Sequence, residues 1–152
     1  MNNMKKLKKN RYIFIKSFFS LILLKYLYFN LSYTKEDTSY ILNGPLAGSI
    51  YYTKNKPGNK ENVIQSHSPL LEINGNTLSV STPHEMKGYE HYIIKHIVLD
   101  NRFNIISEKV FDPSKETPIS KHNIIGYEDK LYVLSICNNH DTWVDIIKIK
   151  KP

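Results

Sequence analysis

Beyond residue 62 the chain alternates short β-branched and aromatic runs with turn signals. The runs lie at 70–73, 77–81, 91–100, 104–111, 119–125, 131–137 and 143–149. Each is short for a helix, and none after residue 33 shows a 3.6-residue apolar period between capping residues. Asn74-Gly75-Asn76 separates the first two runs and reads as a hairpin turn in which Gly75 takes a positive φ. The loop Asp112-Pro113-Ser114-Lys115-Glu116-Thr117-Pro118 separates the fourth from the fifth. Seven such segments spaced by turns predict an all-β, antiparallel sandwich.

Upstream the pattern changes twice. Residues 34–62 read as connecting chain, with turn signals at Asn43-Gly44-Pro45 and Lys56-Pro57-Gly58-Asn59 around a short strand-like stretch at 49–53. Residues 1–33 read as a leader: a cationic run at 5–11, then a mostly apolar stretch broken by Lys16 and Lys25. Its uninterrupted apolar core, Ser17 to Leu24, suits the h-region of a signal peptide better than the ~20 residues of a bilayer span. Arg11 to Lys16 resembles a twin-arginine export pattern with Tyr12 in the second arginine's place, and no small-x-small cleavage site follows. The expectation is therefore an apolar leader helix that exports or anchors the chain. That would place the protein in the periplasm or on the outer face of the cytoplasmic membrane, with the leader touching lipid if it is not removed. The division expected is 1–33 signal or anchor, 34–62 linker with a short strand, and 63–152 the folded domain.

Charge supports this division. The chain has 21 Lys and Arg against 14 Asp and Glu, a net +7 that by itself suggests a nucleic-acid partner. Seven of the basic residues and none of the acidic ones fall in the first thirty positions, leaving 14 of each sign in the remainder. The chain beyond the first thirty residues is formally neutral, and no nucleic-acid partner is expected. A single cysteine, Cys137, excludes an internal disulfide framework, a multi-cysteine zinc site and a CxxC redox pair.

Five residues at strand ends or in loops offer metal-ligating atoms: His67, His84, His91, Cys137 and His140. Imidazoles with one thiolate suit iron, copper or zinc rather than magnesium or calcium. A blue-copper site takes a methionine soon after its last histidine, but Thr142 and Trp143 stand there, which disfavours a copper carrier. Four imidazoles and a thiolate also exceed the four ligands of zinc. Iron with one open position fits this set best. His96 and His122 match no motif and read as structural or exposed.

Ser66-His67-Ser68-Pro69, the run 83–93 (PHEMKGYEHYI), the run 109–120 (KVFDPSKETPIS) and the run 131–143 (LYVLSICNNHDTW) occur in the order found in one family. From about residue 49 to 149 the chain resembles the superoxide reductases, in their desulfoferrodoxin/neelaredoxin iron domain. The resemblance implies an immunoglobulin-like β-sandwich carrying one iron per chain. Its equatorial ligands would be His67, His84, His91 and His140, and its axial ligand Cys137. It implies one-electron reduction of superoxide to hydrogen peroxide at a sixth, open position. A one-electron donor is also implied, rubredoxin-like or other, and a homo-oligomer is left open. The four-cysteine second iron domain of some family members is excluded by the cysteine count. Backbone N–H groups near Asn139 and His140 would moderate the thiolate's push on the metal.

The chain departs from the family string before the first ligand. Gln65 and Ser66 stand where a glutamate and a lysine are usual, so the cation that attracts superoxide is missing from that position. Lys87, between His84 and His91, is the expected substitute. Asp141 stands where the family commonly has glycine. The alternative to an enzyme is an iron-binding or electron-transfer module of the same fold with little superoxide reductase activity.

Overall fold

A computed structural model describes residues 38–149; the leader helix expected at 1–33, and its membrane contact, lie outside them. Among the described residues no helix is long and apolar enough to cross a membrane. Two short helices come first: α1, Thr38–Asn43, and α2, Ile64–His67, the latter entered through a 3₁₀ turn at Glu61–Val63. Seven strands follow: β1 Leu70–Asn74, β2 Thr77–Ser81, β3 Ile93–Leu99, β4 Ile105–Val110, β5 Ile119–Asn123, β6 Lys130–Cys137 and β7 Asp141–Lys148. They form two sheets, of order β1-β2-β5 and β4-β3-β6-β7, with every pairing antiparallel. The expected sandwich is therefore present, with each strand within two residues of its predicted start.

The differences lie in the connecting chain. Helices of one to two turns are too short to write a period into the sequence, which is why α1 and α2 were not anticipated. The stretch 49–53 is not a strand. It makes two isolated bridges, Tyr51 to Ala47 and Tyr52 to Trp143, the second closed by Tyr52 N–H to Thr142 O and Val144 N–H to Tyr52 O, both 2.8 Å. The close backbone approach of Gly58 to Gly48, where a Cβ on Gly58 would meet the Gly48 carbonyl oxygen at 2.2 Å, turns the chain away on either side.

The interior has two halves. At one end Leu78, Val80, Val98, Ile124, Leu131 and Val133 form an apolar core, all buried. At the other, a smaller group of Ile93, Phe111 and Cys137, with Met86 against it, lies beneath the strand ends that carry the five ligating residues. The central strands β3 and β6 run through both halves, and their register sets Ile93 opposite Cys137. Backbone paired on both sides holds those strand ends at fixed positions.

Candidate metal centre

The five residues come from four places in the chain. His67 ends α2, and His84 follows β2 across Pro83, where His84 N–H donates to Thr82 O at 2.7 Å in a tight turn. His91 closes the loop before β3, its carbonyl accepting from Lys87 N–H at 2.9 Å, with Gly88 at φ +55°. Cys137 is the last residue of β6, and His140 sits in the turn into β7. Asn138 and Asn139 fasten that turn to the His91 loop. Both side-chain amides donate to Glu90 O, at 3.1 and 3.2 Å, and Tyr92 N–H donates to Asn138 Oδ1 at 2.9 Å. The sequence points to backbone N–H near Asn139 but not to these two side-chain amides, because adjacent amides in a turn carry no spacing signal.

The ligating atoms converge, all five lying within 4.8 Å of one another. His84 Nε2 lies 2.9 Å from His91 Nε2, His91 Nε2 lies 3.0 Å from His140 Nδ1, and His140 Nδ1 lies 2.9 Å from His67 Nε2. Cys137 Sγ is 3.8 Å from both His84 Nε2 and His140 Nδ1. A neutral imidazole nitrogen carries either one proton or one in-plane lone pair, so it makes one good hydrogen bond. Two of these nitrogens face two neighbours each, and at most two of the three contacts can be hydrogen bonds. Converging lone pairs of this kind are stabilised by a cation between them. Three successive nitrogen–nitrogen separations of 2.9–3.0 Å bring the four rings close enough for one ion to be held between them.

The protonation preferences point the same way. Burial, reinforced by the His84 and His140 rings, lowers His67 to about 4. Burial and His91 lower His84; burial, His91 and Lys60 lower His140. These three rings are therefore neutral, the form in which imidazole binds a metal. The outer nitrogen of His67 is fixed as well. Its Nδ1 lies 2.8 Å from Ser66 Oγ and 3.1 Å from Val63 O, which leaves Nε2 with its lone pair toward the cluster. Asn139 N–H points at Cys137 Sγ from 3.4 Å, whereas no such contact is made by His140 N–H among the described hydrogen bonds. Trp143, fully buried, donates from Nε1 to His140 O at 3.2 Å and braces the turn from below.

The remaining residues of interest lie elsewhere. Lys87 is exposed and paired with Glu85 at 3.2 Å. Lys60, which sequence reading passed over, is held at 3.1 Å by Asp141, the neighbour of His140. His96 and His122 are buried in the interior, outside the cluster.

No family model and no curated protein sequence matches this chain. Solved structures resemble it. The superoxide reductase (neelaredoxin) from Ignicoccus hospitalis superposes with a TM-score of 0.55 at 22% identity, over 68% of this chain and 96% of that one. Two variants of that protein superpose with TM-scores of 0.59 and 0.56, each at 22% identity over 68% of this chain and 95% of theirs. At this identity the shared property is the fold. The chain has the β-sandwich of these superoxide reductases, and at its strand ends it gathers four imidazoles and a thiol.

Proposed function

We propose that the protein is a mononuclear non-haem iron superoxide reductase, with His67, His84, His91, His140 and Cys137 holding the iron. The observation that carries this reading is the convergence of four imidazole nitrogens, which cannot all hydrogen-bond to one another, with the chain's one thiol beside them. The donor set fits iron by its mixture of borderline imidazoles and one soft thiolate. Bound ferrous iron would supply one electron to superoxide, which leaves as hydrogen peroxide after taking up two protons. The protein's own share is to hold the five donors still, keep His67, His84 and His140 neutral and offer Asn139 N–H to the sulfur. Half-buried His91 and His140 put one flank of the cluster near solvent, as a small diffusing substrate requires.

The test is metal analysis and visible absorption of the iron-reconstituted full chain, followed by rapid mixing of the reduced protein with superoxide. The reading expects one iron per chain, a thiolate-to-iron charge-transfer band lost in Cys137→Ser, and fast second-order oxidation with peroxide formed. A band that survives Cys137→Ser, or a chain that takes up no iron, would sink the site assignment. Gln65 and Ser66, in place of an acid and a cation, favour a second reading as an electron-transfer module. Iron binding with slow oxidation by superoxide would select it. The electron donor, export through the leader and the attraction of superoxide by Lys87 belong to the same proposal.

A further inference from the structure

Four of the five ligating residues are tied into the sheets or their turns. His67 is the exception, since it ends a helical segment, 60–67, that belongs to neither sheet. The backbone hydrogen bonds of this segment are local: Val63 N–H to Lys60 O, Ile64 N–H to Glu61 O and Ser68 N–H to Ile64 O. Ser66 Oγ likewise stays within the segment, on Val63 O and His67 Nδ1. Among the described residues, two polar ties run from 60–67 to the sheets. One is the His67 imidazole itself. The other is Lys60 Nζ, 3.1 Å from Asp141 Oδ2.

Both ends of that ion pair are placed with some care. The Lys60 side chain is only 18% exposed, and its ammonium lies 5.4 Å from the centroid of the Tyr52 ring, which is buried and tilted on Trp143. Asp141 adopts φ +62°, a left-handed conformation that aspartate tolerates better than most side chains. It directly follows His140, whose Nδ1 faces His67 Nε2. The ion pair therefore spans the same gap as the His67–His140 contact, from the outside.

We propose that Lys60 and Asp141 form a latch that docks the His67 arm onto the Cys137–His140 turn, so that Lys60 is a positioning residue for His67. The latch extends the metal-centre reading, but it operates on the segment whether or not a metal is bound. With the pair broken, His67 swings on a segment with no other polar anchor, and the cluster opens at that corner. The size of the effect is that of a partly exposed ion pair, about three- to fivefold in the opening equilibrium.

Amide hydrogen exchange of the metal-free full chain tests the latch directly. At low salt, Lys60→Gln and Asp141→Asn should each speed exchange at Val63, Ile64 and Ser68 by about three- to fivefold while β3 and β6 are unaffected. The double variant should match either single, since the two changes remove one interaction, and 1 M NaCl should abolish the difference from the parent chain. Unchanged exchange, additive effects or a uniform rise across the sandwich would overturn the proposal. Lys60→Gln alone suffices if Asp141→Asn does not fold. With Co²⁺ as probe, release to a chelator should quicken by the same factor, and equal release rates would also overturn it. Failure of Co²⁺ to bind would count against the metal-centre reading and leave the exchange result to decide the latch.

Discussion

The molecule holds two groups of histidines whose rings are satisfied in opposite ways. In the cluster of His67, His84, His91 and His140, ring nitrogens face one another at 2.9–3.0 Å in contacts that cannot all be hydrogen bonds. His96 and His122, deeper in the sandwich, are fully paired with hydroxyls. His96 bonds Thr82 Oγ1 at 2.9 Å and Ser120 Oγ at 2.8 Å; His122 bonds Ser120 Oγ at 2.8 Å and Ser107 Oγ at 2.7 Å. Thr82 passes the chain on to Ser135 at 2.8 Å, so the network crosses between the two sheets. One group is complete within the protein, and the other is completed by something added. A buried hydroxyl both donates and accepts, so it can serve a neutral imidazole on either side. A single imidazole nitrogen facing two others cannot serve both.

The largest effect that would break this contrast lies in metal affinity. His91→Ala removes a ring that touches two others, and it should weaken iron binding by at least about 100-fold, since even the outer partners of metal ligands are worth about 10–100-fold. In the metal-free protein the same change should leave thermal stability nearly intact. Next in size is the reverse case. Metal-free stability by urea denaturation should fall by roughly 3 kcal/mol in His96→Leu, because Thr82 and Ser120 lose a buried partner. Equal losses of stability from the two substitutions would erase the distinction. Leu78→Ala in the apolar half is the calibrating case, with an expected cost of about 3 kcal/mol from lost burial and the cavity left behind.

Smaller, and sharper, is the dependence on pH. Burial, aided by His122, lowers His96 to about 3, while in the unfolded chain it titrates near 6.5. Below pH 6.5 the unfolded chain therefore binds a proton that the folded chain refuses. The contribution of His96 is complete above pH 6.5 and is lost progressively as the pH falls toward 3. By pH 5 the loss is about 2 kcal/mol. His96→Leu lacks this term, so the gap between its stability and that of the parent should narrow from roughly 3 kcal/mol at pH 7 to about 1 kcal/mol at pH 5. Parallel stability curves for the two proteins would show that His96 is not held neutral by the fold.

The sequence was most informative where a pattern repeats. The β-branched runs at β3 and β6 and the Gly75 hairpin are legible because a nearly continuous apolar run marks a strand buried on both faces, and a positive φ marks a turn. The five ligating residues were legible because nitrogen and sulfur donors stand at strand ends, although their meeting depends on register that no single strand encodes. The hydroxyl partners of His96 and His122 were not legible. Thr82, Ser107, Ser120 and Ser135 are common surface types, and only the packing of two sheets buries three of them and half-buries Ser107. The pairing of Lys60 with Asp141 was not legible for the same reason, the two being 81 residues apart with no motif joining them.

One asymmetry of the cluster has a spectroscopic consequence. His67, His84 and His91 turn Nε2 inward, whereas His140 turns Nδ1 inward. With a metal at the centre, three rings would keep their proton on Nδ1 and one on Nε2. An imidazole ¹⁵N spectrum of a diamagnetic, Zn²⁺-loaded sample would then divide three to one among these rings. The minority signal would belong to His140, the residue immediately before Asp141, and it would report on that turn alone.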